Sequence, residues 1–179
     1  MAMIGRPLIR GAAYFIDGDG WNRDSGLDNP YIDNYILRME YVDMSEMTLE
    51  RPGAAAPSKK DIARVSITGF FNIADEWDLS IEQQQKVLGN LPASTLYKWK
   101  KTPPGSISDD LVERISYIFG IYKALGIVYT EQSLAIGWLN RPNNHHWLNG
   151  MSPKARMAAG NVSDLYQVRQ IIDGMRAPW

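Results

Sequence analysis

Apolar residues recur at three- and four-residue steps over most of the chain after residue 57, which predicts helices rather than strands. The first such face consists of Ile62, Val65, Gly69, Ile73 and Trp77. It predicts a helix from about 59 to 78, and Ser58 with Asp61 three residues later is typical of a helix N-terminus. A second face predicts a long core helix from about 108 to 126. Its residues are Leu111, Ile115, Ile118, Tyr122 and Leu125.

Two short helices are predicted between these long ones. Ser80 with Gln83 repeats the capping pattern and predicts a helix at about 81–88. A tight turn then leads to a second short helix at 93–101, whose Leu96 faces inward. Such a pair has the size and spacing of a helix-turn-helix, in which the second helix is presented to the major groove of DNA.

The outward face of this second short helix is the predicted DNA-contacting surface. Its candidate residues are Ser94, Thr95, Lys98, Lys100 and Lys101. Hydroxyls and lysines can contact phosphates or base edges, but the helix has no Arg, Asn or Gln for bidentate reading of bases, so low sequence specificity is expected. Lysines on a helix more often simply face water, and that alternative stays open here.

The remaining sequence also predicts helices. Thr130 is predicted to cap a helix that runs to about Asn140, and Ser152 followed by Pro153 predicts the start of a short one. Asn161 is predicted to open the last helix. One face of that helix carries Val162, Leu165, Val168 and Ile172.

The stretch from Arg51 to Pro57 divides the chain, because two prolines and a glycine cannot hold a core element. Before it, residues 35–41 alternate as a strand would but also fit a helical face, so this part stays unclassified. The predicted fold class is therefore all-α. Three segments are expected: an N-terminal extension and linker (1–57), a helix-turn-helix core (58–128) and a small helical C-terminal domain (129–179).

Charge and cysteine content narrow the function. The chain has 19 Lys and Arg against 20 Asp and Glu, a formal net charge of −1, so DNA binding would need a local basic face, doubled by dimerisation. The absence of cysteine excludes disulfides and thiolate metal sites and favours a reducing, cytoplasmic location. No run of about 18 apolar residues occurs, so no membrane association is expected.

No catalytic constellation is visible in the sequence. His145 and His146 are the only histidines, and as neighbours they are expected to point apart, which leaves no metal pair. Glu76 and Asp78 have no assignable base or partner, and no phosphate-binding loop or nucleophile elbow occurs. The sequence predicts a binding protein without cofactor, and not an enzyme.

The residues near the C-terminus favour protein docking. The stretch from Trp138 to Asn143 places an aromatic, a cation and a proline in one turn, and the sequence ends Gly174-Met-Arg-Ala-Pro-Trp179. Trp and Arg are enriched among the residues that dominate binding energies at interfaces. A loose end that carries both can enter a cleft on a partner.

Several of these segments, taken in order, resemble the antitoxins of the Xre, MbcA and ParS group, which neutralise toxins with a RES domain. Phe70-Phe71 with Trp77, Leu79 and Ser80 resembles the opening helix of that family. Leu88-Gly89 followed by Ser94-Thr95-Leu96-Tyr97-Lys98-Trp99 resembles its helix-turn-helix. Trp138-Leu-Asn-Arg-Pro-Asn143, Gly150-Met-Ser-Pro153 and the final helix resemble its toxin-binding domain.

The resemblance implies a partner toxin that degrades NAD or transfers ADP-ribose, with the last helix and tail of the antitoxin at the toxin's NAD pocket. The toxin-binding residues so predicted are Trp138, Arg141, Pro142, Asn143, Arg169, Met175, Arg176, Ala177, Pro178 and Trp179. It also implies a homodimer that binds operator DNA and represses its own operon. The acidic charge balance and the N-terminal extension depart from the family pattern. The alternative is a dimeric DNA-binding repressor that blocks no toxin.

Overall fold

A computed structural model describes residues 57–176 of the chain. The helices of this part are α1 Lys59–Glu76, α2 Ile81–Val87, α3 Ala93–Lys101, α4 Asp109–Val128, α5 Gln132–Asn140, α6 Pro153–Met157 and α7 Val162–Arg176, and residues 57–176 contain no strand. The all-α class is confirmed. The predictions for residues 1–56, and those for Ala177, Pro178 and Trp179, lie outside the described residues.

Local capping and a distant lysine together set the ends of α1. The Ser58 hydroxyl accepts a hydrogen bond from the Asp61 amide at 3.2 Å, and the side-chain bond between these residues lowers the pKa of Asp61. At the other end the backbone of Asp78 is left-handed, with φ of 49°, so α1 stops two residues earlier than predicted. The Lys154 ammonium donates to the carbonyls of Trp77 and Asp78 at 2.7 Å each, which satisfies the helix end.

The α2–turn–α3 unit has the predicted helix-turn-helix form. Ser80 and Gln83 form a complete capping box at the start of α2. Gly89 and Asn90 are both left-handed, with φ of 79° and 64°, and this reverses the chain before α3 begins. Leu96 of α3 is fully buried, as predicted, so the opposite face of α3 is left at the surface.

Helices α4 and α7 run parallel and form the most extensive helix pair among the described residues. Three contacts follow the same order along both helices. Arg114 donates to the carbonyl of Gly160 just before α7, the Tyr117 and Tyr166 rings lie 6.0 Å apart, and Arg169 lies against Gly120. The apolar face of α7 is thereby buried on α4, and Leu165, Val168 and Ile172 have no exposed surface.

Apolar side chains from both sides of the predicted 128/129 boundary form one hydrophobic cluster. Its largest fully buried members include Trp77, Phe70, Phe119, Ile118, Leu125 and Leu139. The start of α5 differs from the prediction. Glu131, not Thr130, is the N-cap residue, and it makes no side-chain capping bond. The Ser152 cap of α6 is confirmed, since its hydroxyl accepts from the Ala155 amide.

Glu76, which has no assignable partner in the sequence, is hydrogen-bonded to a residue of α4 in the structure. The Tyr122 hydroxyl donates to Glu76 Oε2 at 2.9 Å. Burial raises the pKa of Glu76, and the Tyr122 hydrogen bond opposes that shift only in part. Burial also raises the pKa of Tyr122, so the phenol keeps its proton and remains the donor. The ionised carboxylate therefore costs the folded state free energy.

Replacing Glu76 by Gln is expected to change stability in a pH-dependent way. A group whose pKa is raised on folding stabilises the fold below its unfolded pKa, and that contribution disappears as the pH rises through the folded value. Glu76→Gln should therefore be at least as stable as wild type at pH 7.5, and the difference should vanish near pH 4. Urea unfolding at both pH values measures this, with the exposed Glu131→Gln as control. A variant clearly less stable than wild type at pH 7.5 would contradict the assignment.

Candidate functional site

None of the most exposed residues of α7 carries a charge, although Asp173 and Arg176 in its last turn are partly exposed. The exposed residues of α7 are Ser163, Tyr166, Gln170, Gly174 and Met175. The exposed residues of α1, by contrast, are Lys59, Lys60, Asp61, Arg64, Thr68 and Asp75. Depletion of charge with enrichment of Tyr and Met is typical of the buried centre of a protein interface. The surface formed by Ser163, Tyr166, Gln170 and Gly174, which share one side of the helix, is called the α7 face below; Met175 lies about 180° around the helix from Tyr166, at the helix end.

Two large side chains of α7 are exposed, Tyr166 on the α7 face and Met175 at the helix end. Tyr166 is 46% exposed and Met175 is 44% exposed. Tyr166 is held by an edge-on contact with the Tyr117 ring of α4. Neither this contact nor the exposure of Tyr166 was predicted, because both depend on how α7 is rotated against α4.

The charged groups at the end of α7 are engaged with one another. Both oxygens of Asp173 are used: Arg169 Nε donates to Oδ2, and Arg176 Nη1 donates to Oδ1 at 3.2 Å. The Arg169 side chain is 14% exposed and lies against Gly120 in the α4–α7 interface. Of the predicted toxin-binding residues on α7, Met175 is thus at the surface, Arg176 is partly buried and Arg169 faces α4.

The predicted residues 138–143 divide between the core and the surface. Trp138 is 7% exposed and belongs to the hydrophobic cluster, whereas Arg141 and Pro142 are exposed. Asn143 closes the following loop, because its amide donates to the Met151 carbonyl and its carbonyl accepts from the Gly150 amide, both at 3.1 Å. Arg141 and Pro142 are therefore the members of this group that a partner can reach.

The two histidines do not point apart, so that prediction is wrong. The His145 and His146 rings stack with centroids 4.4 Å apart, and both lie beside the Trp147 ring. Leu148, which is fully buried, anchors the loop that carries these rings. Among residues 57–176 no group of three or more His, Cys, Asp or Glu side chains is placed to hold a metal ion.

The predicted DNA-contacting residues on α3 fall into two groups. Ser94, Lys98, Lys100 and Lys101 are exposed, and Thr95 is partly buried. Lys100 is directed to α1, where its ammonium lies 2.9 Å from Asp75 Oδ1. The same ammonium lies 5.2 Å from the centroid of the Phe71 ring. Neither partner was foreseen, since Asp75 and Phe71 are more than 20 residues away in sequence.

Comparison with known proteins divides the chain into two matched regions. Residues 56–120 match the family model for the antitoxin Xre-like helix-turn-helix domain. Residues 124–177 match the model for the antitoxin Xre/MbcA/ParS C-terminal toxin-binding domain. The chain belongs to the Xre/MbcA/ParS antitoxins. This antitoxin is 41% identical over 130 residues to uncharacterized protein y4oB of Sinorhizobium fredii (strain NBRC 101917 / NGR234), an alignment that covers 72% of the chain and 98% of the relative. No solved structure gives a significant match.

The two matched regions meet inside α4. The first ends at residue 120 and the second begins at 124, while α4 runs from Asp109 to Val128. The antitoxin therefore uses one helix in both domains, and the α7 face lies wholly within the toxin-binding one. No helix among the described residues is long and apolar enough to cross a membrane.

Substitution of Trp138 and of Arg141 should separate a core role from a surface role. Trp138→Ala is expected to lower the free energy of unfolding by about 3–5 kcal/mol, because it leaves a cavity in the core. Arg141→Ala, at an exposed position three residues away, is expected to change it by less than about 0.5 kcal/mol. Urea unfolding of both variants tests the assignment. Equal stabilities would show that Trp138 is no core residue.

Proposed function

We propose that this antitoxin neutralises a RES-domain toxin by docking the α7 face on it and placing residues 176–179 at the toxin's NAD pocket. The toxin would degrade NAD or transfer ADP-ribose from it. The observation that carries the proposal is the α7 face, which exposes Tyr166 and no charged residue, together with the exposed Met175 at the helix end, inside the segment that matches the toxin-binding domain. The exposed Arg141 and Pro142 are proposed to contact the toxin beside it.

The packing of α7 favours such a mode of binding. A helix held along one whole side by α4 presents a rigid surface, so little conformational entropy is lost when a partner covers it. Inhibition in this proposal is steric: the tail occupies the space of the toxin's small-molecule substrate, and the antitoxin performs no chemistry.

Removal of residues 177–179 is the direct test of occlusion. The shortened chain keeps α7 and the Asp173–Arg176 pair, so it should fold normally. It should need at least ten times more protein than the full chain to halve NAD consumption by the purified toxin encoded beside it. A chain without the tail that inhibits as strongly as the full chain would refute the occlusion mechanism.

A matched pair of surface variants tests the docking face itself. Tyr166→Asp introduces a charge on the α7 face, and should weaken toxin binding at least tenfold because that charge would lose its water. Thr68→Asp introduces the same charge on the exposed side of α1, and should leave toxin binding unchanged. Calorimetric titration with the toxin measures both, and equal losses would argue against the α7 face.

Binding of operator DNA by a homodimer is the second proposed function, and it is the whole function in the alternative without toxin blocking. It is favoured by α3, which carries three lysines and no acidic residue and exposes Ser94, Lys98 and Lys101. A dimer would present two such helices to successive turns of the major groove. The binding energy would come chiefly from phosphate contacts, since the chain as a whole has a net charge of −1.

Three lysines of one helix provide an internally controlled test of DNA binding. Lys98→Ala and Lys101→Ala should each weaken binding to the DNA upstream of the antitoxin's own gene, and lower the logarithmic salt slope by about 0.9. Lys100→Ala removes the same charge from the same helix, but Lys100 is paired with Asp75, so its effect on the slope should be much smaller. Fluorescence anisotropy between 50 and 200 mM salt gives the slopes. Identical slopes for all three variants would contradict the proposed face.

A further inference from the structure

A glycine in the middle of α4 opens a gap that an arginine of α7 fills. Gly120 is buried, although glycine is among the least favourable residues inside a helix. A Cβ at this position would lie 1.3 Å from Arg169 Nη1 and 2.4 Å from Arg169 Cζ. The guanidinium thus occupies the space that any other residue would need for its side chain. This contact gives a physical reason for a glycine here.

The same guanidinium is the first member of a short chain of ion pairs that ends at the last residue of α7. Arg169 donates through Nε to one oxygen of Asp173, and Arg176 donates to the other. The Gly120 gap, Arg169, Asp173 and Arg176 are called the arginine relay here. It connects the middle of α4, a buried point, with the place where residue 177 begins.

Helix stability alone does not explain the acid in this relay. A negative charge in the last turn is unfavourable next to the partial negative charge of a helix C-terminus. The last turn is also weakened by Gly174, since glycine is unfavourable inside a helix. A Cβ at this position would meet nothing within 4 Å, so packing does not require a glycine there. An otherwise fraying end is therefore held by two arginines on one carboxylate.

We infer that Arg169 and Asp173 are positioning residues, which fix the last turn of α7 immediately before residues 177–179. Arg169 offers a partner little surface, because its side chain is 14% exposed and its guanidinium fills the Gly120 gap. Its contribution to toxin binding is therefore made through Asp173 and Arg176. The consequence for neutralisation rests on the proposed function, whereas the ordering of the last turn does not.

Residue-resolved amide exchange of the free, full-length protein tests the ordering. Asp173→Asn keeps the side-chain shape but loses the charge, and Gly120→Ala displaces the guanidinium. In both variants the amides of residues 174–176 should exchange at least tenfold faster, while those of Leu165 and Val168 change less than twofold. Asp110→Asn is the matched control, since it removes an i,i+4 aspartate–arginine pair, with Arg114, elsewhere. Unchanged exchange at 174–176 in Asp173→Asn would overturn the inference.

A double-mutant cycle with the purified protein encoded by the neighbouring gene separates positioning from contact. Asp173→Asn should raise the Kd about tenfold in the full chain but less than twofold in a chain that ends at Arg176, because no tail remains to be directed. Equal effects in both chains would make Asp173 a contact residue and overturn the inference. Failure of the occlusion mechanism is seen separately, as full inhibition by the shortened chain, and leaves the exchange result standing.

Discussion

The parallel packing of α7 on α4 is the interaction on which the rest of the fold depends. Two parallel helices cannot be joined by a tight turn, so the chain must return along α4, a distance of about 30 Å for its 20 residues. Helices α5 and α6 and the loop between them make that return. The apolar side of α7 then completes a core that α1 to α4 begin, which explains why the two family segments share one hydrophobic cluster.

Helix starts were predictable from sequence because their determinants are local. Ser58, Ser80 and Ser152 each accept a hydrogen bond from an amide three residues later, so both partners are close together in the sequence. The end of α1 depends instead on Lys154, more than 70 residues away. The start of α5 differs from the prediction because Glu131 makes no side-chain capping bond, so no local capping pattern marks that boundary.

The candidate sites were predictable as residue types but not as surfaces. Aromatic and arginine side chains are enriched at interfaces, yet the same side chains bury large areas in cores, so sequence could not separate Trp138 from Arg141. Lys98 and Lys100 are likewise equivalent in sequence, and only the fold brings Asp75 to one of them. The exposure of Tyr166 could not be predicted from the sequence, because it follows from the rotation of α7 against α4.

A shared core also constrains how the two proposed binding surfaces relate. The exposed side of α3 and the α7 face lie on helices whose buried residues, such as Leu96 and Val168, belong to the same cluster. A ligand that binds only the folded state stabilises all of that cluster by mass action. A toxin seated on α7 would therefore stabilise the helix-turn-helix as well, without any change of shape.

Stabilisation of this kind alters the folded population, whereas true coupling requires a ligand to distinguish two folded arrangements. The continuous packing of α4 against both halves provides the physical connection that such coupling would need.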